Sequence, residues 1–182
     1  MSALHVLGIV ASPHGGGSTL TAMTALLRGA ESGGAQTTLV DLTEVSTAEA
    51  IAAISAADAV AFGSPTYRAG HTSMLGALLE RVDRGAPPDT TEPLLGKACA
   101  VVMTGASDKH FLATRGLRTV LTDFYGVQVL APSLYLTHTD FDPGKQLTEQ
   151  AQELVATHGR ALHDLGTAVR ASESLRSLRP LV

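Results

Sequence analysis

Short continuous apolar runs alternate along the chain with stretches of helical spacing, and this alternation constrains the fold more than any other feature. The runs, of which the second is looser, lie at Leu4–Val10, Thr37–Leu42, Ala59–Gly63, Ala98–Thr104 and Val127–Leu136. Continuous runs bounded by Gly, Pro or Ser are typical of strands buried on both faces. They predict a sheet of about five parallel strands.

Between these runs, apolar residues recur three or four positions apart, as one face of a helix requires. They are Leu20, Met23, Leu26 and Leu27; Leu75, Leu78, Leu79 and Val82; and Leu117, Val120, Leu121 and Phe124. We also predict a weak helix at Thr47–Ala57, a loop at Gly85–Pro93, and a final helix from Lys145 to about Arg170. Alternating strands and helices favour right-handed crossovers, and therefore a doubly wound α/β domain with helices on both faces of the sheet.

The composition indicates one globular domain in a reducing compartment. A chain of 182 residues with 45% hydrophobic residues can bury one core but is short for two domains. Its net charge of −4 argues against a nucleic-acid surface. The single cysteine, Cys99, cannot form an internal disulfide. The N-terminus has no basic region, and its apolar run is too short to span a bilayer, so we expect a cytoplasmic protein with no membrane segment.

Three loops follow predicted strands at the place where ligands bind in such folds. In an open sheet of order 2-1-3-4-5, ligands lie outside the carboxyl ends of the strands, near strands one and three. The corresponding loops are Ala11–Thr19, Ser64–Thr72 and Gly105–His110. These loops are the candidate site.

The first loop combines three glycines, Gly15–Gly17, with the start of a helix. Glycines let backbone N–H groups turn inward, and a helix N-terminus favours a phosphate. A flexible turn in which Ser18 or Thr19 caps the helix, with no ligand, explains the loop equally well. The Walker A pattern fails because Gly17 stands where it needs Lys, and the G-x-G-x-x-G fingerprint fails at Leu20.

The sequence lacks the motifs of a zinc site and of a hydrolase triad. The seven histidines show no spacing of three or four residues to one another and no cysteine partner, which argues against zinc. No G-x-S-x-G elbow is present, so a hydrolase triad lacks its nucleophile. His14 and His71 each lie in a candidate ligand loop.

The second loop carries the most specific motif of the chain. It reads Pro65-Thr66-Tyr67-Arg68 and reaches Thr72 four residues later, before a helix. This segment resembles the P-[TV]-Y-[RK]-x-x-x-[ST] motif of the NAD(P)H-dependent FMN reductase family, which is flavodoxin-like. The resemblance implies that the four residues contact the isoalloxazine ring of flavin mononucleotide (FMN). Because the nicotinamide must stack on the exposed face of that ring, beside the loop at Tyr67–His71, we also expect Arg68 to meet a phosphate of the nicotinamide cofactor.

The same resemblance extends to the first and third loops. The segment from Ser12 to Thr19 resembles the family's phosphate loop, G-S-x-R-x-x-S-x-T, with His14 at a position that is often basic. If Thr19 is the family threonine, Gly17 replaces the serine, which favours Thr19 over Ser18 as a phosphate ligand. The third loop would reach the pyrimidine side of the ring; its candidate residues are Thr104, Gly105, Ala106 and Ser107.

The resemblance also implies a function. We expect a flavodoxin-like FMN-binding domain at residues 1–170 with a C-terminal tail at 171–182, using FMN and NAD(P)H. Reduced FMN would feed a flavin-dependent monooxygenase, as in sulfonate-utilisation reductases. Alternatives are a tightly FMN-bound quinone or azo reductase, and a flavodoxin-type electron carrier, against which 4% aromatic residues and no Trp argue.

Relatives form dimers or tetramers through the helices after strands three and four. Apolar residues on Met74–Val82 and Leu117–Tyr125 permit such an interface, although core packing explains the same stripes. Some sulfonate-system reductases carry a π-bulge in the later helix. The gap from Leu112 to Leu117, which breaks the helical spacing, is a hint of one here.

Overall fold

The computed structural model describes residues 2–14, 17–84 and 92–180. The main elements are β1 (His5–Val10), α1 (Gly17–Ser32), β2 (Gln36–Asp41), α2 (Thr47–Ala56), β3 (Ala59–Pro65), α3 (Ser73–Leu79), β4 (Ala98–Gly105), α4 (Thr114–Thr119), β5 (Gln128–Val129), β6 (Leu134–Thr137), α5 (Glu149–Ala171) and α6 (Glu173–Ser177). Gly15, Gly16 and most of the loop predicted at Gly85–Pro93 lie outside the described residues.

The strands form one parallel sheet of order β2-β1-β3-β4-β5, which confirms the predicted order. The fifth position is shared by two short strands where one continuous run was expected. β5 pairs with the first two residues of β4, and β6 pairs with its last four. Between them, Leu130 still donates its N–H to the Cys99 carbonyl, but Pro132 has no N–H to offer to the ladder.

Alternate residues of each central strand enter two separate hydrophobic cores. Leu7 and Ile9 face the core covered by α2, α3 and α4, whereas Val6 and Val10 face the core covered by α1 and α5. Successive side chains of a strand point to opposite faces of the sheet. The side chains of β3 and β4 therefore also alternate between the two cores. The central strands β1, β3 and β4 are therefore buried on both faces, as their continuous apolar runs predict, whereas the edge strand β2 is largely exposed.

Two glycines bring α1 and α5 unusually close together. A Cβ built on Gly159 would lie 1.9 Å from the carbonyl oxygen of Leu26, and one on Gly29 would lie 2.2 Å from that of Ala156. No side chain fits between these backbones. The contact fixes α5 against α1, whose N-terminus enters the candidate site.

The segment after β4 is a composite helix. A 3₁₀ segment, Asp108–Ala113, leads into α4, which ends in a π-helical turn at Val120–Phe124. The Leu112–Leu117 gap therefore marks the passage from 3₁₀ to α geometry. The π turn itself lies further along the chain than the gap suggested.

The described part of the C-terminal tail packs on its own chain. Leu175 joins the core beneath α5, and Arg179 forms an ion pair with Glu92 at 3.1 Å. The backbone of Arg176 lies against Gly96, which has a φ of +65°. The tail thus covers the connection that leads into β4.

Candidate functional site

A cleft of about 440 Å³ opens at the carboxyl ends of β3, β4 and β6, beside the start of α1. It is lined by Ser18, Pro65, Thr66, Tyr67, Thr104, Gly105, Ala106, Thr137, His138, Phe141, Asp142 and Lys145. Seven of these residues were predicted from the sequence. They come from all three predicted loops, which the fold brings together at one edge of the sheet.

The second loop is anchored at both ends by buried side chains. Thr72 donates its N–H to the Ser64 hydroxyl at 3.0 Å and its own hydroxyl to the Ala11 carbonyl at 2.9 Å. The same Thr72 oxygen accepts the N–H of Leu75 and so caps α3. These bonds tie the loop to β1 and α3, which positions the residues between its ends.

The tip of this loop is a strained two-residue turn. Tyr67 and Gly70 exchange two backbone hydrogen bonds, of 2.9 and 3.0 Å, around Arg68 and Ala69. Arg68 has a φ of 50° and Ala69 a φ of 61°. Left-handed φ at both central positions is the type I′ pattern, which normally selects Asn and Gly, and a non-glycine residue there is strained. The turn leaves Tyr67 exposed on the cleft wall and carries Arg68 outside the lining.

Thr66 has a buried polar atom without a partner. Its N–H donates to the Thr104 carbonyl at 2.7 Å, which joins the second loop to the end of β4. Its hydroxyl is buried, and no described residue bonds to it; among the described side chains it is the one such atom. An unpaired buried hydroxyl costs free energy, so a bound polar group that reached this atom beside the cleft would be stabilised by it.

Of the candidate residues in the first loop, only Ser18 lines the cleft. Ser18 lines the cleft, whereas Thr19 is buried and its hydroxyl is hydrogen-bonded to that of Thr104 at 2.7 Å. The cleft therefore presents the hydroxyl of Ser18, whereas the hydroxyl of Thr19, preferred from the sequence, is directed to a protein partner. Ser12, His14 and Gly17 do not line the cleft, and His14 is exposed.

The third loop is held in place by side chains that follow it in the chain. Tyr135 donates its hydroxyl to the Ser107 carbonyl at 3.0 Å, and His138 donates from Nδ1 to the Ala106 carbonyl at 3.0 Å. Gly105 has no room for a side chain, since a Cβ would lie 2.0 Å from the Tyr135 hydroxyl oxygen. Ser107 does not line the cleft; its own hydroxyl accepts the N–H of Lys109.

One wall of the cleft was missed by the sequence analysis. It consists of the last residue of β6, Thr137, and four residues after the strand: His138, Phe141, Asp142 and Lys145. Asp142 accepts the N–H of Gln146 at 2.9 Å, and Lys145 has a φ of 62° in the turn. The rule that ligands bind beyond strand ends, applied to the fifth strand as it was to the others, would have found this wall.

His71 lies behind the second loop and not in the cleft lining. It is half-buried, and burial lowers its pKa below the ordinary value of 6.5. The imidazole is therefore neutral at pH 7. No group of three or more His, Cys, Asp or Glu side chains within the described ranges is arranged to hold a metal ion.

The sheet order and the ligand cleft at the strand ends together define a flavodoxin-like α/β protein. Residues 4–142 match the family model of the NADPH-dependent FMN reductases. Because the match covers most of the chain, this protein belongs to that family and is an oxidoreductase of the flavin reductase type. The family implies the use of FMN and NAD(P)H. No curated protein sequence matches the chain.

Solved structures with the same fold include an apo NADH:FMN oxidoreductase (EMOB), with 21% identity, a TM-score of 0.77 and coverage of 97% of this chain and 95% of that one. A flavodiiron protein from Giardia intestinalis has 23% identity and a TM-score of 0.73, with 91% of this chain matching only 36% of that one. A flavone reductase has 17% identity and a TM-score of 0.76, with coverages of 93% and 65%. At these identities the likeness establishes the fold. No helix in the described ranges has the length and apolar character needed to cross a membrane.

Proposed function

We propose that the cleft binds FMN and that the protein transfers hydride from NAD(P)H to it. The observation that carries this proposal is the Thr66 hydroxyl, which is buried without a partner in the loop that bears the family motif. A flavin ring has carbonyl oxygens and nitrogens along its edge. A polar edge of this kind beside Thr66 would satisfy the hydroxyl.

The residues near Ser18 suit the phosphate of FMN. Ser18 lies in the first turn of the 16-residue helix α1, where the first N–H groups have no helical acceptor. Within the described residues, the Ser18 hydroxyl makes no hydrogen bond. These donors, together with the helix dipole, would bind a dianion without a cationic side chain.

The residues on the other side of the cleft suit the ring. When bound, FMN supplies the redox chemistry, because it accepts hydride from the nicotinamide. The loop at Pro65–Tyr67 and the loop at Gly105–Ala106 would hold the ring between them. The N–H groups of Ala106 and Ser107 have no acceptor in the described part of the chain and would stabilise negative charge on the pyrimidine side.

The exposed tip of the second loop suits the nicotinamide cofactor. Tyr67 is 46% exposed, and neither Arg68 nor Lys145 has an ion-pair partner among the described residues. Arg68 would meet a phosphate of the cofactor at the rim of the cleft.

We propose further that FMN is a substrate that leaves the protein in its reduced form and supplies a flavin-dependent monooxygenase.

We also propose a homodimer or homotetramer. The apolar stripes of α3 and α4 lie mostly in the core, with Leu75, Leu78, Leu117 and Leu121 buried. The apolar surface is instead formed by Phe111, Leu112 and Phe124, which are 59%, 46% and 44% exposed on the composite helix after β4. Light scattering coupled to gel filtration tests this directly: a monomer at micromolar concentration would contradict it.

The deciding experiment for the activity is steady-state NADH and NADPH oxidation with and without added FMN, together with an absorbance scan of the purified protein. Colourless protein whose turnover saturates with added FMN is the expected result. Yellow protein that needs a quinone or azo dye would favour the tightly bound alternative. Protein that binds flavin but oxidises neither cofactor would favour an electron carrier, and no flavin binding would exclude all three.

A further inference from the structure

A second groove, of about 230 Å³, lies on α1 beside the cleft. One wall is a stripe of α1 that includes Thr21, Thr24 and Arg28. The opposite wall is Gln146, in the loop before α5, and Gln152, in the first turns of α5. Nothing in the proposed reduction of FMN uses these residues.

The groove continues the cleft on both of its sides. On α1, Ser18 lines the cleft and Thr21, one helical turn further, lines the groove. Residues three apart on a helix are neighbours on one face. In the loop after β6, Lys145 lines the cleft and Gln146 lines the groove. A ligand that enters at the Ser18 end of the cleft can therefore extend along α1 into the groove.

The groove offers polar groups that the protein itself does not use. The side chains of Thr21, Thr24, Arg28, Gln146 and Gln152 make no hydrogen bond or ion pair with any described residue. No carboxylate lines the groove, whereas Lys145 stands where it meets the cleft. The lining is thus cationic at both ends, with hydroxyl and amide groups between.

Leu20 and Ala25 supply the apolar part of the lining. A nucleotide needs three kinds of contact: apolar contact for its flat heterocycle, amides and hydroxyls for its ring nitrogens and ribose hydroxyls, and a guanidinium for its phosphate. The groove offers all three. We propose that this groove binds the adenylate group of a dinucleotide whose other half occupies the cleft. The orientation rests on the proposed function, which places the FMN phosphate at Ser18.

Two dinucleotides carry such a group. In flavin adenine dinucleotide (FAD), the adenylate is attached at the flavin phosphate, and therefore at the Ser18 end. In NADPH it carries a further 2′-phosphate, which Arg28 can bind as a charge-assisted pair. The two sources share one chemistry, and the assays separate them.

The test compares the wild type with Arg28→Ala, using Arg115→Ala on α4 as the matched control, since Arg115 is also exposed and lines neither the cleft nor the groove. Dissociation constants for FMN and FAD are measured by flavin fluorescence, and KM values for NADPH and NADH by steady-state kinetics. Arg28→Ala is expected to weaken either FAD or NADPH by about tenfold or more, with FMN affinity and kcat unchanged. Loss confined to FAD assigns the adenylate to the flavin, and loss confined to NADPH assigns it to the nicotinamide cofactor.

A steric variant gives an independent result. Gln152→Trp fills the groove from the exposed side of α5 and is expected to lower the same affinity while FMN affinity is kept. Unchanged FAD and NADPH constants in both variants would overturn the proposal. If FMN itself fails to bind, the proposed function fails, and calorimetric titration of 5′-AMP then decides separately on the groove: binding that Arg28→Ala weakens supports it, and no binding to wild type overturns it.

Discussion

The hydroxyls of Thr19 and Thr104 lie 2.7 Å apart in a hydrogen bond that joins the first turn of α1 to the end of β4. Both residues are buried, with 2% and 7% exposure. They stand 85 positions apart in the chain. The bond fixes the start of α1, with Ser18 on it, relative to the third loop, and so sets the width of the cleft between them.

The Thr19–Thr104 pair predicts a non-additive stability effect. Thr19→Val or Thr104→Val alone leaves the other hydroxyl buried without its partner, and each is expected to lower the free energy of unfolding by about 1–3 kcal/mol. The double variant removes both polar groups and is expected to lose less than the sum of the two. Urea unfolding of all four proteins measures this, and strict additivity would show that the hydroxyls are not coupled.

Thr66→Val should separate stability from flavin binding. The substitution removes a buried hydroxyl that has no protein partner, so the free protein should gain about 1 kcal/mol. FMN affinity should fall about tenfold, because the ligand loses that hydrogen bond. Thermal unfolding and flavin titration provide the two readings. Thr167→Val on α5 is the control and should leave FMN affinity unchanged; unaltered affinity in Thr66→Val would remove Thr66 from the site.

Gly159→Ala should destabilise the fold strongly although alanine favours helices. Its Cβ would meet the Leu26 carbonyl oxygen at 1.9 Å, and backbone atoms can move only if α1 and α5 separate. We expect a loss of about 3 kcal/mol. Gly116→Ala on α4 meets nothing within 4 Å and should be neutral or gain up to about 1 kcal/mol. Equal effects of the two changes in chemical denaturation would contradict the close crossing.

Ala69→Gly should stabilise the free protein. Ala69 has a φ of 61°, where glycine avoids the Cβ clash, and we expect a gain of about 0.5–1 kcal/mol after the entropy of the unfolded glycine is counted. Ala168→Gly, on the exposed face of α5, should instead lose roughly that amount. Thermal unfolding compares the two, and a destabilised Ala69→Gly protein would show that the turn is not strained.

Cys99 should be inert in the folded protein and should make stability fall at high pH. Burial raises the pKa of its thiol from 9.0 to about 12. Below pH 9.0 both states keep the proton; above it the unfolded state releases the proton first, so stability is lost progressively as the pH rises toward 12. Urea unfolding at pH 8 to 10.5 should show a steeper decline than in Cys99→Ala. Rapid reaction of the native thiol with a disulfide reagent would disprove its burial.

The strands and the three predicted loops could be read from the sequence because buried parallel strands are continuous apolar runs with abrupt polar ends, whereas the order of the strands followed from the resemblance to flavodoxin-like proteins. The division of the last run into β5 and β6 could not. Both halves are apolar, and whether each pairs with β4 depends on contacts far away in the chain. Pro132 marks the interruption but does not say that pairing resumes after it.

Within the site, the limit of sequence reasoning lay in the direction of side chains. Ser18 and Thr19 are adjacent on α1, and successive helix positions point about 100° apart, so the motif alone could not say which one faces the cleft. Arg68 illustrates the same limit. The motif places it in a loop that lines the cleft, but the left-handed turn carries its side chain away from the lining.

The tethers from Tyr135 and His138 to the third loop affect the order of events during synthesis. A nascent chain that has reached only β5 contains every loop predicted to bind the flavin. It nevertheless lacks both tethers, the wall that ends at Lys145, and the helix α5 that packs on α1. The cleft is therefore complete only once the chain has been synthesised through α5, and any ligand that needs the whole wall can bind only after that point.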